Sequence, residues 1–199
     1  MDKIESDAPN PANHLSPLKN EIHTVNNNNP SIALESSYGK FGTDDFSISF
    51  WFNTKSKSRL FDIIGNREQG SHGNFICVRM TGKHDSIDEG KLCIEIDQDG
   101  NGLNYVGMQS KRGGYNDGEW HHVTVIRSKL DLILFVDGEE IIKESTKGVT
   151  DLTGQYTFKL GRSYSGFEAP EISFYDLKFH FYPLSGSEIN EIYSVKPPL

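Results

Sequence analysis

Apolar and small polar residues alternate through Phe46-Ser47-Ile48-Ser49-Phe50-Trp51-Phe52, which puts Phe46, Ile48, Phe50 and Phe52 on one face of an extended segment. A side-chain period of two with bulky groups on one side is a strand with one buried face. Further strands are predicted over residues 60–64, 74–80, 91–97, 105–109, 122–128, 131–136, 140–144, 155–160 and 172–181. Turns rich in glycine and Asx residues separate them, such as Asp99-Gly100-Asn101-Gly102, Asn116-Asp117-Gly118 and Asp137-Gly138. Residues 130–136 are apolar on both faces apart from Asp131, the pattern of a strand covered on each side and lying mid-sheet. Many short strands at this spacing predict an all-β fold, a two-sheet antiparallel β-sandwich. One helix is predicted at the C-terminal end. There Ser185 and Glu188 have capping-box spacing, and Ile189, Ile192 and Tyr193 follow at helical intervals.

Before residue 31 the pattern is different. Residues 1–30 are rich in Asn, Pro, Ser and charge and end in Asn26-Asn27-Asn28-Asn29-Pro30. They read as a polar lead-in with at most one short strand at 22–25, and the domain proper as 31–199. The first residues carry neither the basic start nor the apolar stretch of a secretory signal, so export is not legible from them. No apolar run reaches the ~18 residues of a membrane span. With 28 acidic against 20 basic side chains, the formal charge of −8 repels a phosphate backbone and argues against nucleic acid as a partner. The two cysteines, Cys77 and Cys93, fall in neighbouring predicted strands. A hairpin centred near Asp85 sets Cys77 opposite Cys93, Phe75 opposite Glu95 and Arg79 opposite Lys91. That register leaves open both a cross-strand disulfide and two buried free thiols.

Four segments in order resemble the concanavalin A-like, laminin G-like (pentraxin-like) jelly roll. Asp45-Phe46-Ser47-Ile48-Ser49-Phe50-Trp51-Phe52 resembles its early core strand, and Asp117-Gly118-Glu119-Trp120-His121-His122-Val123 the turn that opens a central strand. Leu134-Phe135-Val136-Asp137-Gly138-Glu139 is similar to the hairpin that follows. Leu160-Gly161-Arg162, Tyr175-Asp176-Leu177-Lys178-Phe179 and Ser185 to Ile189 are similar to the final strand and helix. The resemblance spans residues 31–195. It implies a jelly-roll fold, a binding rather than a catalytic role, glycan or glycoprotein partners with a protein partner as the alternative, an extracellular or cell-surface setting, and calcium at the sandwich edge. Many modules of the fold carry an acidic pair before the last strand. Tyr175-Asp176 departs from it, so no metal role passes to Asp176. Trp120 is read as a core residue. His121 and His122, adjacent on a strand, point to opposite faces and do not share a metal.

Three stretches carry candidate chemistry. Glu95-Ile96-Asp97-Gln98-Asp99 resembles the E-x-D-x-E signature of family 16 glycoside hydrolases, whose carboxylates stand roughly 5–5.5 Å apart in a retaining mechanism. Asp99 in place of the second glutamate, followed by glycines, weakens that reading in favour of a charged solvent face. Asp97, Asp99 and Asn101 also match the opening of an oxygen-rich calcium loop, though its twelfth position is Met108, which excludes an EF-hand. A plain Asx-Gly turn is the competing account. Sugar recognition needs an aromatic face with amides or charges beside it. Asn104 with Tyr105, Tyr115 with Asn116, and Arg162 with Tyr164 offer that, provided their loops converge on one rim. No Gly-x-Ser-x-Gly elbow supports a serine hydrolase. The leading expectation is a non-catalytic glycan-binding module, with or without calcium as its one implied cofactor, followed by a protein-binding adhesion or assembly domain and then a glycoside hydrolase.

Overall fold

A computed structural model describes residues 14–198 except 19, 59, 69–71, 83–88, 149–150 and 164–167. Thirteen strands and one helix are described: β1 (His14–Leu15), β2 (His23–Val25), β3 (Ile32–Ala33), β4 (Phe46–Thr54), β5 (Leu60–Gly65), β6 (Phe75–Thr81), β7 (Leu92–Asp97), β8 (Val106–Gln109), β9 (Trp120–Ser128), β10 (Asp131–Val136), β11 (Glu139–Ser145), β12 (Lys159–Ser163), β13 (Ile172–His180) and α1 (Gly186–Ser194). One sheet runs β1-β13-β4-β9-β10-β11, with β2 also paired to β13; the other runs β3-β12-β5-β6-β7-β8. All the pairings between strands are antiparallel.

The sheets close on one core. Phe46, Ile48, Phe50 and Phe52 of β4 meet Ile76, Val78 and Met80 of β6 and Leu92, Ile94 and Ile96 of β7, the inward face that alternation predicts. The lead-in contributes more than its composition suggests. Leu18 and Val25 are buried in this core, and β1 and β2 hydrogen-bond to β13, so the sandwich takes in residues from His14 rather than from 31. A few apolar residues in a polar segment were enough, because β13 offered a free edge. Residues 155–158 precede β12 instead of forming it. β10 lies next to the edge strand β11, not mid-sheet. It is nevertheless covered on both sides, by the core and by the second small cluster around α1 that Ile133 and Phe135 join.

Cys77 stands opposite Glu95, and Arg79 opposite Cys93, two residues away from the predicted register. Arg79 thereby reaches Asp62 Oδ1 at 2.8 Å and Glu95 Oε1 at 2.6 Å, an ionic match that the Arg79–Lys91 pairing would have replaced with like charges. Both thiols are free. Burial pushes the Cys93 thiol up to about 11, and Cys77 well above its ordinary value, so neither is a ready thiolate.

The family-like turn motifs prove to be parts of one clip. Asp137, at φ 53°, opens the β10–β11 turn; its Oδ1 accepts the His122 N–H and its Oδ2 faces His121 Nδ1 at 2.9 Å. His121 Nε2 faces Asp117 Oδ1 at 3.2 Å. Burial alone would lower the imidazole, but the two carboxylates outweigh it and hold it above its ordinary value. Trp120 is only half-buried at the mouth of β9, whereas Trp51, 1% exposed, lies against His122 and Tyr193 of α1. The helix carries the predicted capping box at Ser185 and Glu188.

Gly161 explains a second motif. It sits in β12 at φ 66°, and a Cβ there would meet Val25 Cγ1 at 2.7 Å. Gly161→Ala is expected to destabilise the protein by about 2–4 kcal/mol, from left-handed strain plus overpacking where the sheets meet. Urea denaturation measures this; an unchanged midpoint would mean the backbone there relaxes freely.

Candidate functional site

The outward face of β5, β6, β7 and β12 is not apolar. Asp62 is 1% exposed and joins Arg79 to Arg162, whose Nη2 donates to Asp62 Oδ2 at 2.7 Å. Glu95 takes Arg67 and Arg79, and Glu68 takes Lys159 at 3.5 Å. Among the described residues Arg67, Arg79, Arg162 and Lys159 thus pair with Asp62, Glu68 and Glu95, while Asp97 pairs with His72. This network accounts for the hydrolase-like stretch: Glu95 is locked between two guanidiniums and Asp97 is wholly buried. Asp99 lies beyond the strand in the following turn, so the three carboxylates do not share a face.

At one end of this sheet residues 66–68 and 72–75 and residues 153–156 before β12 line a cleft of about 220 Å³. Buried Asn66 forms its base; its Oδ1 accepts the Ile76 N–H at 2.9 Å and fixes the turn. Arg67 lies over the Phe75 ring at 4.5 Å and reaches back to Glu95. His72, Gly73 and Asn74 make one wall, and Thr153, Gly154, Gln155 and Tyr156 the other, with Tyr156 40% exposed. Lys40 Nζ donates to the Gly154 carbonyl at 2.9 Å and tethers that wall. His72 Nδ1 stands 2.7 Å from Asp97 Oδ2, and its ring meets Tyr105 edge-on at 6.3 Å. An exposed aromatic face among amides and a fixed imidazole is chemistry suited to hydroxyl-rich ligands.

The predicted ligand residues divide between places. Asn104 and Tyr105 follow the C-terminal end of β7; Tyr105 reaches the cleft's margin through His72, while the Asn104 N–H is given to Asp99. Tyr115 and Asn116 stand beside Gly90 at the other end of β7, about 20 Å away for a six-residue strand. The single converging rim is therefore corrected to two separate ends. Tyr115, at 2% exposure, offers no face to a ligand. It packs edge-on to His121, and Arg112 Nε donates to its hydroxyl. Asn116 Nδ2 is committed to the Ser56 carbonyl and Glu89. Arg162 belongs to the ionic network, and Tyr164 lies outside the described residues. Tyr156, His72, Asn66 and Gln155 were not singled out by sequence, because 155–160 reads as a strand and Tyr156 then reads as packing. The available signal was the Gly154-Gln155-Tyr156 run, with its amide and aromatic after a glycine.

The calcium-like loop is a hydrogen-bonded turn. Asp99 accepts the N–H groups of Asn101 (2.8 Å), Leu103 (3.0 Å) and Asn104 (2.7 Å). Desolvation raises that carboxyl, but these backbone donors, with Gly102, outweigh it and hold it below the ordinary range. Asp97 faces His72 and the Asp99 N–H. The Asp97 and Asp99 oxygens are thus committed to His72 and to backbone N–H groups, and no group of three His, Cys, Asp or Glu side chains suited to a metal occurs among the described residues. No helix among them is long and apolar enough to cross a membrane.

The family described as the concanavalin A-like lectin/glucanases superfamily matches residues 26–190. Among curated proteins no sequence matches. The fold is similar to the binding domain of Paraclostridial Mosquitocidal Protein 1 (TM-score 0.67, 16% identity, covering 92% of this chain and 45% of that one). It is similar as well to a botulinum neurotoxin type C structure described by its interaction with two ganglioside molecules (0.59, 16%, 82% and 39%). A third is the binding domain of botulinum neurotoxin DC in complex with rat synaptotagmin II (0.61, 15%, 92% and 51%). The chain spans about half or less of each of these, and at such identity the likeness is one of fold.

Proposed function

The chain belongs to the concanavalin A-like lectin/glucanase superfamily, and from that premise we propose that it is a non-catalytic recognition module that binds glycans in the Asn66–His72–Tyr156 cleft. The observation that carries this is Tyr156, an exposed ring facing amide and imidazole groups across an open cleft. A pyranose stacks its C–H face on such a ring while neighbouring polar groups take its hydroxyls. At about 220 Å³ the cleft lies below the ~300–1,000 Å³ of drug-sized pockets, which suits a single sugar unit at the end of a longer glycan. The hydrolase alternative lacks support, since Glu95 is held by two arginines. Binding on this reading needs no calcium, because the Asp97 and Asp99 oxygens already have partners.

Screening on a glycan array, followed by titration of each hit, tests the proposal. Tyr156→Ala is expected to weaken binding about tenfold, equivalent to roughly 1.4 kcal/mol, without moving the urea midpoint. EDTA should leave binding unchanged. A hit whose affinity ignores Tyr156→Ala would remove the cleft from consideration, and an array with no hits would favour the protein-binding alternative, a partner type also found with one structural neighbour.

A further inference from the structure

On the glycan reading of the cleft, the wall that carries Tyr156 has to stand where a sugar ring can stack on it. Residues 151–158 lead into β12 but belong to no strand of either sheet, so no ladder of backbone hydrogen bonds fixes them. Leu152 and Phe158, both 2% exposed, anchor the segment in the core near its two ends. Between these anchors Thr153, Gln155 and Tyr156 are exposed.

The turn over residues 34–42 supplies what a neighbouring strand would. The Leu34 N–H donates to the Phe158 carbonyl at 2.9 Å, and the Gly42 carbonyl accepts the Leu152 N–H at 2.9 Å. Between them Lys40 Nζ donates to the Gly154 carbonyl, also at 2.9 Å, and the Phe158 ring lies on Gly39. Gly42 is itself held from inside the sandwich, where wholly buried Arg127 donates from Nη2 to its carbonyl at 3.0 Å. On its other side the segment closes on the facing wall. Gly154 is buried, and a Cβ there would stand 2.4 Å from the Asn74 carbonyl oxygen and 2.9 Å from Asn66 Nδ2. The two walls therefore meet at Gly154, which Lys40 holds by its carbonyl, and Tyr156 follows two residues on.

We infer that the 34–42 turn is the positioning element of the cleft and that Lys40 is its positioning residue, fixing the Tyr156 wall so that a sugar meets a preformed site. Lys40 is not among the described residues that line the cleft, so its effect on a ligand passes through the wall. A wall ordered before binding spares the ligand the cost of ordering it.

The experiment measures affinity for a glycan-array hit in the wild type, Lys40→Met, Lys40→Arg, Tyr156→Ala and the Lys40→Met/Tyr156→Ala double variant. Lys40→Met is expected to weaken binding about fivefold, the scale of one net hydrogen bond, without moving the urea midpoint. Lys40→Arg, which keeps a donor for the Gly154 carbonyl, should restore most of that affinity. In the Tyr156→Ala background Lys40→Met should cost nothing further, because its effect acts through the ring. In the ligand-free protein, NMR-detected hydrogen exchange at the Leu152 and Gly154 amides should quicken about fivefold in Lys40→Met, with β4 unchanged. An equal loss of affinity in both backgrounds would show that Lys40 meets the ligand itself and would overturn the positioning role. Unchanged exchange at Leu152 and Gly154 would overturn it as well, and that measurement needs no ligand. An array empty of hits would overturn the glycan reading and with it Lys40's part in binding, while the exchange rates would still decide whether Lys40 holds the wall.

Discussion

Acidification from pH 7 to 4 is expected to cost the fold on the order of 3 kcal/mol at each of two histidines beneath α1, His122 and His180. His122 is 1% exposed and both its ring nitrogens lack a hydrogen-bond partner among the described residues; His180 Nε2 meets Ser49 Oγ at 3.1 Å while its Nδ1 has no partner among them. Burial lowers His122 to about 3 and His180 to about 4. The charges around His122 are Asp137, which favours its protonation, and Lys178, Lys196 and His180, which oppose it. Around His180, burial is joined by His14 and Lys178 against protonation, with Glu188 in favour. A folded value below the unfolded one means that the unfolded chain binds more protons in the interval. Stability is therefore full above about pH 6.5 and falls progressively as the pH drops toward 4 and 3. His121 works in the opposite sense: its raised value keeps its contribution intact below pH 6.5 and loses it only as the pH rises through that value. The net slope measured by urea denaturation between pH 7 and 4 should be positive with pH. His122→Leu should flatten it, and at pH 7 the variant should be no less stable, because an unpaired buried imidazole contributes no hydrogen bond. A loss of several kcal/mol at pH 7 would show that the ring is bonded after all.

The second large effect is expected at Arg79. Its Nε and Nη1 serve Asp62 and Glu95, and its side chain is 8% exposed. Replacing it with Met leaves two largely buried carboxylates with fewer counter-charges, although Arg162 and Arg67 still reach them. Arg79→Met should cost about 3 kcal/mol and lower the Tm by about 6–12 °C. A cost below about 1 kcal/mol would place the network with exposed surface pairs, which contribute little.

This network also shows where sequence reading stopped. Period-two alternation located β4, β6, β7, β9 and β13 within a residue or two, because inward apolar faces leave that trace directly. The register of β6 on β7 was set by outward side chains, Arg79 between Asp62 and Glu95, and Asp62 lies 17 residues upstream on a strand that sequence located along the chain but did not place beside β6. The same holds for the cleft. His72 and Tyr156 come from two different connections and Asp97 from the end of β7, and only the sheet order β12-β5-β6-β7 brings them together. The strands predicted the shelf, whereas the ligand-facing side chains depend on loop closure that no local pattern records.

The outer strands of the two sheets among the described residues are β1, β2, β3, β8 and β11, with β2 three residues long. Two of them are two residues long and β8 is four; β11 carries Glu139, Glu140, Lys143 and Glu144 and is bulged against β10. None gives a visiting polypeptide a long, uncharged row of backbone groups to zip onto. Such blunted margins keep copies of the chain from fusing sheet to sheet. They also direct any partner away from strand addition and toward the side chains displayed at the ends of the sandwich.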